Sequence, residues 1–204
     1  MAGHYYSKRP DVEHNRKKWT ASLRGMQLAF VSDAGVFSKG GVDYGSRVLI
    51  DCMDIPEDAT VLDVGCGYGP IGLTAAKLAK RGRVTMVDVN ERALDLAREN
   101  ALLNGVHNVT IQESDGLNAL GSEHYSVILT NPPIRAGKEV VHRIFEQSYE
   151  HLADGGSLWI VIQKKQGAPS AEAKLQQLFG EDNVELVVKD KGYRIYQAKK
   201  SFPS

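Results

Sequence analysis

The stretch VLDVGCGYGPIGL, Val61 to Leu73, reads as the end of a buried strand, a glycine-rich turn and the start of a helix. Gly65, Gly67 and Gly69 leave the backbone unencumbered, so the turn can stand close to a ligand at the strand end. A dinucleotide fingerprint asks for Gly-x-Gly-x-x-Gly or Ala beside a pyrophosphate. Here Pro70 takes the third position and an acid, Asp63, precedes the first glycine. A carboxylate at that place repels a diphosphate and suits a ligand that carries an ammonium group.

Downstream of this turn, short apolar runs alternate with segments of helical period. Strands are expected near 60–65, 83–88, 108–113, 125–130 and 157–163, and helices over 69–80, 91–104, 138–152 and 171–179. The pattern predicts a doubly wound α/β fold with helices on both faces of a parallel sheet. The runs 184–189 and 193–198 flank Asp190-Lys191-Gly192, a hairpin signal that adds an antiparallel ending. Upstream, residues 1–55 read as an appendage to a domain over 56–204. It comprises a basic arm, an alternating Met26, Leu28, Phe30 run, a glycine-rich stretch from Gly35 to Gly45, and a helical run over 46–53.

A chain of 204 residues with 42% hydrophobic residues can bury a continuous core. Its 25 basic and 25 acidic residues give a formal net charge of zero, so any hold on phosphate comes from local patches. Cys52 and Cys66 are the only cysteines and lack metal-ligand spacing, so neither a disulfide nor a metal site is expected. No run reaches the roughly 20 apolar residues that span a bilayer, and the first residues carry no export signal. A cytoplasmic protein that meets no membrane is expected, and a monomer is favoured.

The next expected strand, VTMVDVN, ends at Asp88, at the spacing that lets a carboxylate accept both hydroxyls of an adenosine ribose. The motif Asp63-Val-Gly-Cys-Gly-Tyr-Gly together with Asp88 resembles the cofactor half of class I S-adenosylmethionine-dependent methyltransferases. The resemblance implies a Rossmann-like seven-stranded sheet of order 3-2-1-4-5-7-6 whose last strand is antiparallel. It implies S-adenosylmethionine as cofactor, with Asp63 toward the methionine ammonium, and Gly65, Cys66 and Gly67 offering backbone. Asp88 and its neighbour Val89 serve the ribose. It also implies that Asp115 lies near the adenine, and that a loop bearing Phe37 and Lys39 folds over the cofactor.

The fourth expected strand runs into Asn131-Pro132-Pro133-Ile134, on the side of the sheet that carries the glycine turn. An exocyclic amine of a nucleobase is a poor nucleophile because its lone pair is delocalised into the ring. The Asn131 side-chain oxygen and the Pro132 carbonyl can each accept one N–H and aim the lone pair at a methyl donor, while Pro133 restricts the loop. Such positioning is worth roughly 7 to 11 kcal/mol in well-oriented reactions. The motif resembles that of amino methyltransferases, in which the fourth position is usually aromatic when the acceptor is adenine or a protein glutamine; here it is Ile134. By this motif Asn131 belongs to both the catalytic and the cofactor-contacting sets.

The segments GVFSKGGVDYGSRVLID, IRAGKEVVHRIFEQS and WIVIQKKQGAPS make the chain similar to the small-subunit ribosomal RNA guanine 2-amino methyltransferases. That resemblance implies ribosomal RNA or the small ribosomal subunit as partner. Arg135, Lys138, Lys164 and Lys165 follow strands whose ends face the cofactor, and are the expected phosphate contacts. The arm residues Lys8, Arg9, Arg16, Lys17 and Lys18, interleaved with Tyr5, Tyr6 and Trp19, form a second candidate surface for phosphates and bases. Adenine in RNA and a protein glutamine amide stay open as alternative acceptors, and an NAD-dependent oxidoreductase is the reading from a different class.

Overall fold

The computed structural model describes residues 13–36 and 40–204. The chain opens with an antiparallel hairpin, β1 (Lys17–Leu23) and β2 (Met26–Ser32), followed by α1 (Tyr44–Cys52). The doubly wound unit then runs β3 (Thr60–Val64), α2 (Pro70–Leu78), β4 (Arg83–Asp88), α3 (Glu91–Leu103), β5 (Val109–Glu113) and β6 (Tyr125–Thr130). It continues through α4 (Lys138–His151), β7 (Leu152–Gln163) and α5 (Ala168–Phe179) to the closing hairpin of β8 (Val184–Asp190) and β9 (Tyr193–Lys199). The seven-stranded sheet has the order β5-β4-β3-β6-β7-β9-β8, and β9 runs antiparallel to both its neighbours. Counted from β3, this is the expected order.

Strand alternation divides the core in two. Val61, Met86, Leu129, Val161 and Ile195 pack against α1, α2, α3 and the first hairpin. Leu62, Val64, Val87, Ile128, Ile160 and Tyr196 pack against α4 and α5. The period of two in side-chain direction turns each strand's near-continuous apolar run into two core faces. Helix α2 lies very close to the sheet: a Cβ on Gly72 would stand 2.7 Å from Met86 Cγ and 2.8 Å from Asp63 Oδ2.

Two hairpins turn through pairs of residues with positive φ, Arg24-Gly25 (53° and 76°) and Lys191-Gly192 (48° and 83°). This backbone twist matches that of the flanking strands. The second hairpin is the one expected from Asp190-Lys191-Gly192. The first corrects the reading of a basic arm, because Lys17, Lys18 and Trp19 belong to β1. Trp19 packs against Phe30 and Tyr68, with ring centroids 6.5 and 5.6 Å away, which removes it from the set of free base-stacking residues. Arg16 pairs with Glu99 of α3. Lys8, Arg9, Tyr5 and Tyr6 lie outside the described residues.

Strand β2 pairs with β1 in a separate two-stranded sheet, and along its other edge α3 supplies a partner with side chains. Asn100 accepts from Val31 N at 2.8 Å and donates to Val31 O at 2.9 Å, and one turn later Asn104 does the same for Ala29 at 2.8 and 2.7 Å. Asparagines at i and i+4 face the same way on a helix, so each amide imitates one peptide group of a neighbouring strand. The hairpin is thereby fixed, and Arg24 in its turn donates to the Ile50 and Met53 carbonyls at the end of α1, at 3.0 and 2.7 Å. The first segment thus shares one apolar core with the sheet and holds α1 in place.

Strand β7 begins earlier than expected, at Leu152. Its pairing with β6 jumps from Tyr125↔Leu152 to Val127↔Ser157, leaving Ala153-Asp154-Gly155-Gly156 as an irregular excursion. The Gly155 amide bonds Lys200 O at 2.7 Å, and the Lys200 amide bonds Gly156 O at 2.9 Å, so the excursion closes against the end of β9.

Candidate active site

A hollow of about 320 Å³ opens at the carboxyl ends of β3, β6 and β7. That volume suits a small-molecule site, and the position is where open α/β sheets bind ligands. Gly65, Cys66, Gly67 and Tyr68 line it from the glycine turn, and Asn131, Pro132, Pro133, Ile134 and Arg135 from the end of β6. The two motifs singled out in the sequence therefore share one cavity. Beside it, a narrow cleft is lined by Gly65, Asp88, Val89, Ser114, Gly116 and Pro133.

The glycine turn is held by β4. Gly65 N and Cys66 N both donate to Val87 O at 2.9 Å, and Gly67 N donates to Asp88 Oδ2 at 2.8 Å. The other Asp88 oxygen accepts from Asn90 N at 2.9 Å. This carboxylate is buried, fixed in orientation and set at the cleft. Gly65, Gly67 and Gly69 have φ of 73°, 58° and 108°, a run of left-handed backbone that side chains resist. Burial pushes the Cys66 thiol well above its usual range, with the charges of Asp88 and Asp63 adding to the rise, so it stays protonated.

Asp63 sits elsewhere. On the pleat of β3 it shares the face of Val61 and points beneath α2, where it is buried and neither oxygen has a partner at hydrogen-bonding geometry. Burial pushes its carboxyl up to about 7, the nearby Gly72 amide pulls it down, and the charge of Asp88 adds to the rise. It lines neither the hollow nor the cleft. Asp115 is also apart: it is half-exposed and paired with Arg143 at 2.7 Å, while its neighbours Ser114 and Gly116 line the cleft.

At the end of β6, Pro133 has φ −75° and ψ 80°, and Ile134 N donates to Pro132 O at 2.9 Å. This is an inverse γ-turn, for which the proline ring presets φ. The Pro132 carbonyl keeps one lone pair for a further donor. The Asn131 amide donates to Ser46 Oγ at 3.1 Å and to Asp43 Oδ2 at 3.3 Å. Asp43 is also the N-cap of α1, accepting from Ser46 N at 3.1 Å.

Of the expected basic residues, Arg135 borders the hollow. Lys138 opens α4, and Lys164 and Lys165 lie exposed in the short turn after β7, while Gln163 and Gln166 from that segment line the hollow. Phe37 and Lys39 lie outside the described residues, but the loop on either side of them is tied to the site. Gly35 O accepts from Asn90 Nδ2 at 2.8 Å, and Gly41 O accepts from Tyr68 Oη at 3.4 Å. Sequence reasoning missed Asp43, Ser46, Gln163, Gln166 and Tyr193. Asp43 and Ser46 carry the local pattern of a helix cap, which marks a helix start but says nothing about Asn131. Tyr193 enters beside Gly45, where a Cβ would meet its ring at 2.8 Å.

Among the described residues there is no cluster of three or more His, Cys, Asp or Glu able to hold a metal ion. Nor is any helix there long and apolar enough to cross a membrane.

A Rossmann-like sheet of this order, with a glycine turn and an Asn-Pro-Pro turn facing one hollow, defines a class I methyltransferase fold. The chain belongs to the methyltransferase small domain family, whose model matches residues 27–197. It is 56% identical over 202 residues to the uncharacterized protein YbxB of Bacillus subtilis, covering 98% of this chain and 100% of that one. It is 34% identical over 194 residues to ribosomal RNA small subunit methyltransferase C of Vibrio cholerae, covering 93% of this chain and 55% of that protein. A solved structure of the T. thermophilus 16S rRNA N2 guanine methyltransferase RsmC, in complex with AdoMet and guanosine, superposes with a TM-score of 0.81 at 24% identity. That match covers 94% of this chain and 52% of the other. The chain thus spans about half the length of these two ribosomal RNA methyltransferases.

Proposed function

We propose that this protein transfers a methyl group from S-adenosylmethionine to the exocyclic 2-amino group of a guanine in ribosomal RNA. The observation that carries the reading is the shared hollow: all of Asn131-Pro132-Pro133-Ile134 lines the same cavity as Gly65-Cys66-Gly67. The family supports methyl transfer, and the 34% identity to ribosomal RNA small subunit methyltransferase C supports ribosomal RNA as the acceptor class.

The residues fit the cofactor. The left-handed glycine turn leaves the rim bare, and a Cβ on Gly65 would come within 3.9 Å of the Asn131 carbonyl. Asp88 stands at the cleft with both oxygens oriented by backbone amides, suited to the ribose hydroxyls, with Val89 and Ser114 beside it. When bound, S-adenosylmethionine supplies an electrophilic methyl group on a sulfonium. The protein's own work is positional. Asn131 Oδ1 and the free lone pair of the Pro132 carbonyl accept the two N–H bonds of the amine, which turns its lone pair out of the base plane. After transfer the nitrogen is cationic and acidic, so its proton passes to water or to these acceptors without a strong base. Asp63, beneath α2, lies outside the hollow and the cleft. The Tyr68 ring is buried against Trp19 and Phe30, whereas Tyr193, half-buried at the hollow, offers a base the stacking surface that Ile134 lacks. Arg135, Lys138, Lys164 and Lys165 stand at or beyond its rim as phosphate contacts.

The test is to incubate total RNA and small ribosomal subunits from cells lacking the protein with enzyme and labelled S-adenosylmethionine, and to identify the modified nucleoside by mass spectrometry. 2-Methylguanosine is expected. N6-Methyladenosine, or label in protein alone, overturns the guanine assignment.

A further inference from the structure

We propose that Asp43, at the first turn of α1, is the positioning residue that sets the orientation of the Asn131 amide and so creates the acceptor for the substrate amine. The inference rests on the role given to Asn131 above. A primary amide can sit either way round, and only one way presents an oxygen to a donor in the hollow. Asn131 Nδ2 has two hydrogens, and the first turn of α1 offers them two acceptors, Asp43 Oδ2 at 3.3 Å and Ser46 Oγ at 3.1 Å. A carboxylate can only accept. If the amide flipped, its oxygen would face the Asp43 carboxylate and lose a charge-assisted bond in exchange for repulsion. Asp43 thus commits the NH2 group and leaves Oδ1 with free lone pairs. Asp43 and Ser46 both line the hollow, so the pair stands at the reacting edge and not behind it.

The arrangement also accounts for the way the N-terminal segment is anchored. Nothing in the chemistry of a helix cap requires the first turn of α1 to meet the residue that follows β6. Yet both ends of α1 are tied down, through the Arg24 bonds to Ile50 O and Met53 O and through the Asp43 bond to Asn131. Asparagine clasps from α3 in turn fix the hairpin that carries Arg24. A displacement of α1 by one ångström would take the carboxylate out of reach of Asn131, so the first segment is part of the acceptor site.

Two substitutions separate this role from capping. Asp, Asn and Ser are nearly equal as N-caps, so a pure cap tolerates all three. Asp43→Asn keeps an oxygen at the right reach, whereas Asp43→Ser keeps the cap and loses the reach to Asn131. With small subunits from cells lacking the protein as acceptor, Asp43→Ser is expected to lower kcat about tenfold, the size of one lost hydrogen bond. Asp43→Asn stays within about threefold of wild type, and both variants keep the melting temperature and the affinity for S-adenosylmethionine. In the Asn131→Ala background, Asp43→Ser has no further effect, since there is no amide left to orient. A spectroscopic measurement needs no RNA: the Asn131 side-chain NH2 resonances, assigned by their loss in Asn131→Ala, shift in Asp43→Ser and hold in Asp43→Asn. Equal kcat in all three proteins, or unmoved amide resonances in Asp43→Ser, overturns the proposal. Full activity in Asn131→Ala instead overturns the amine-orienting role itself, whatever Asp43 does to the spectrum.

Discussion

The two halves of the hollow are built in opposite ways. On the cofactor side, the first part of the glycine turn is held by the next strand: Gly65 and Cys66 donate to Val87 O and Gly67 to Asp88, partners 21 or 22 residues apart, and Tyr68 is held by Asn100 of α3 and by Gly41, 32 and 27 residues away. On the acceptor side, Asn131 takes its orientation from Asp43 and Ser46, 88 and 85 residues away, and Tyr193 arrives from the closing hairpin. One half is held mainly by the strand next to it. The other exists only when α1, β6 and β9 are all in place. The proposed donor side thus rests mostly on partners within about 30 residues, and the proposed acceptor side on partners more than 80 residues away.

Asn131 gives the sharpest way to break this contrast. Asn131→Ala is expected to cost turnover about 2 to 4 kcal/mol, the size of one preorganised polar contact to a transition state, while affinity for S-adenosylmethionine stays near wild type. Single-turnover rates beside calorimetric titration check it, and a matching loss of cofactor affinity would show that the halves are not separable. Asp88→Ala makes the reciprocal test. It removes a buried acceptor and the bond to Gly67 N together, so cofactor binding weakens by about 1 to 3 kcal/mol. Unchanged affinity in a calorimeter would take Asp88 out of the cofactor site.

Asp63 sharpens the contrast on the folding axis. Its folded carboxyl is pushed up to about 7 by burial, above the ordinary range that applies when the chain is unfolded. Between about pH 4 and pH 7 the unfolded chain has lost this proton and the folded one retains it. Stability of the ligand-free protein therefore falls as pH rises through that window, by about 1 kcal/mol per unit. Urea titrations at pH 5 and pH 7 read the slope, and Asp63→Asn flattens it; identical slopes in the two proteins would mean that Asp63 is ionised in the fold. The smallest effect is expected from Lys164 and Lys165 at the exposed turn after β7. Replacing both by alanine raises the apparent KM for RNA a few-fold and reduces the salt slope of RNA binding by about 1 to 2, with no change toward S-adenosylmethionine. An unchanged salt slope leaves these lysines as a solvated turn.

Much of the fold was legible because strand and helix periods are local properties. Apolar runs at 60–64, 83–88 and 125–130 and the glycine turn after the first read directly as a doubly wound sheet, and Lys191-Gly192 as a two-residue turn. The first hairpin escaped because Lys17 and Lys18 at its start look like a solvated arm. Its partner surface is made of Asn100 and Asn104 side chains on a helix, which no strand pattern announces. Asp63 was recognised as a motif acid, but a motif cannot tell which face of the pleat a residue takes, and packing against Gly72 put it under α2.

By itself, then, the sequence determined the α/β architecture, the strand order through its family resemblance, the glycine turn with Asp88, and the Asn131-Pro132-Pro133-Ile134 turn. Each is a property of neighbouring residues, set by backbone freedom at glycine, the fixed φ of proline and the period of apolar side chains. Only the tertiary structure decided that the cap of α1 accepts from the Asn131 amide, that Tyr193 and Gln163 line the hollow, and that Asp115 turns away to Arg143. Those contacts join residues far apart in the chain, and their geometry comes from how helices and hairpins settle on the sheet, which burial and long-range hydrogen bonds fix together.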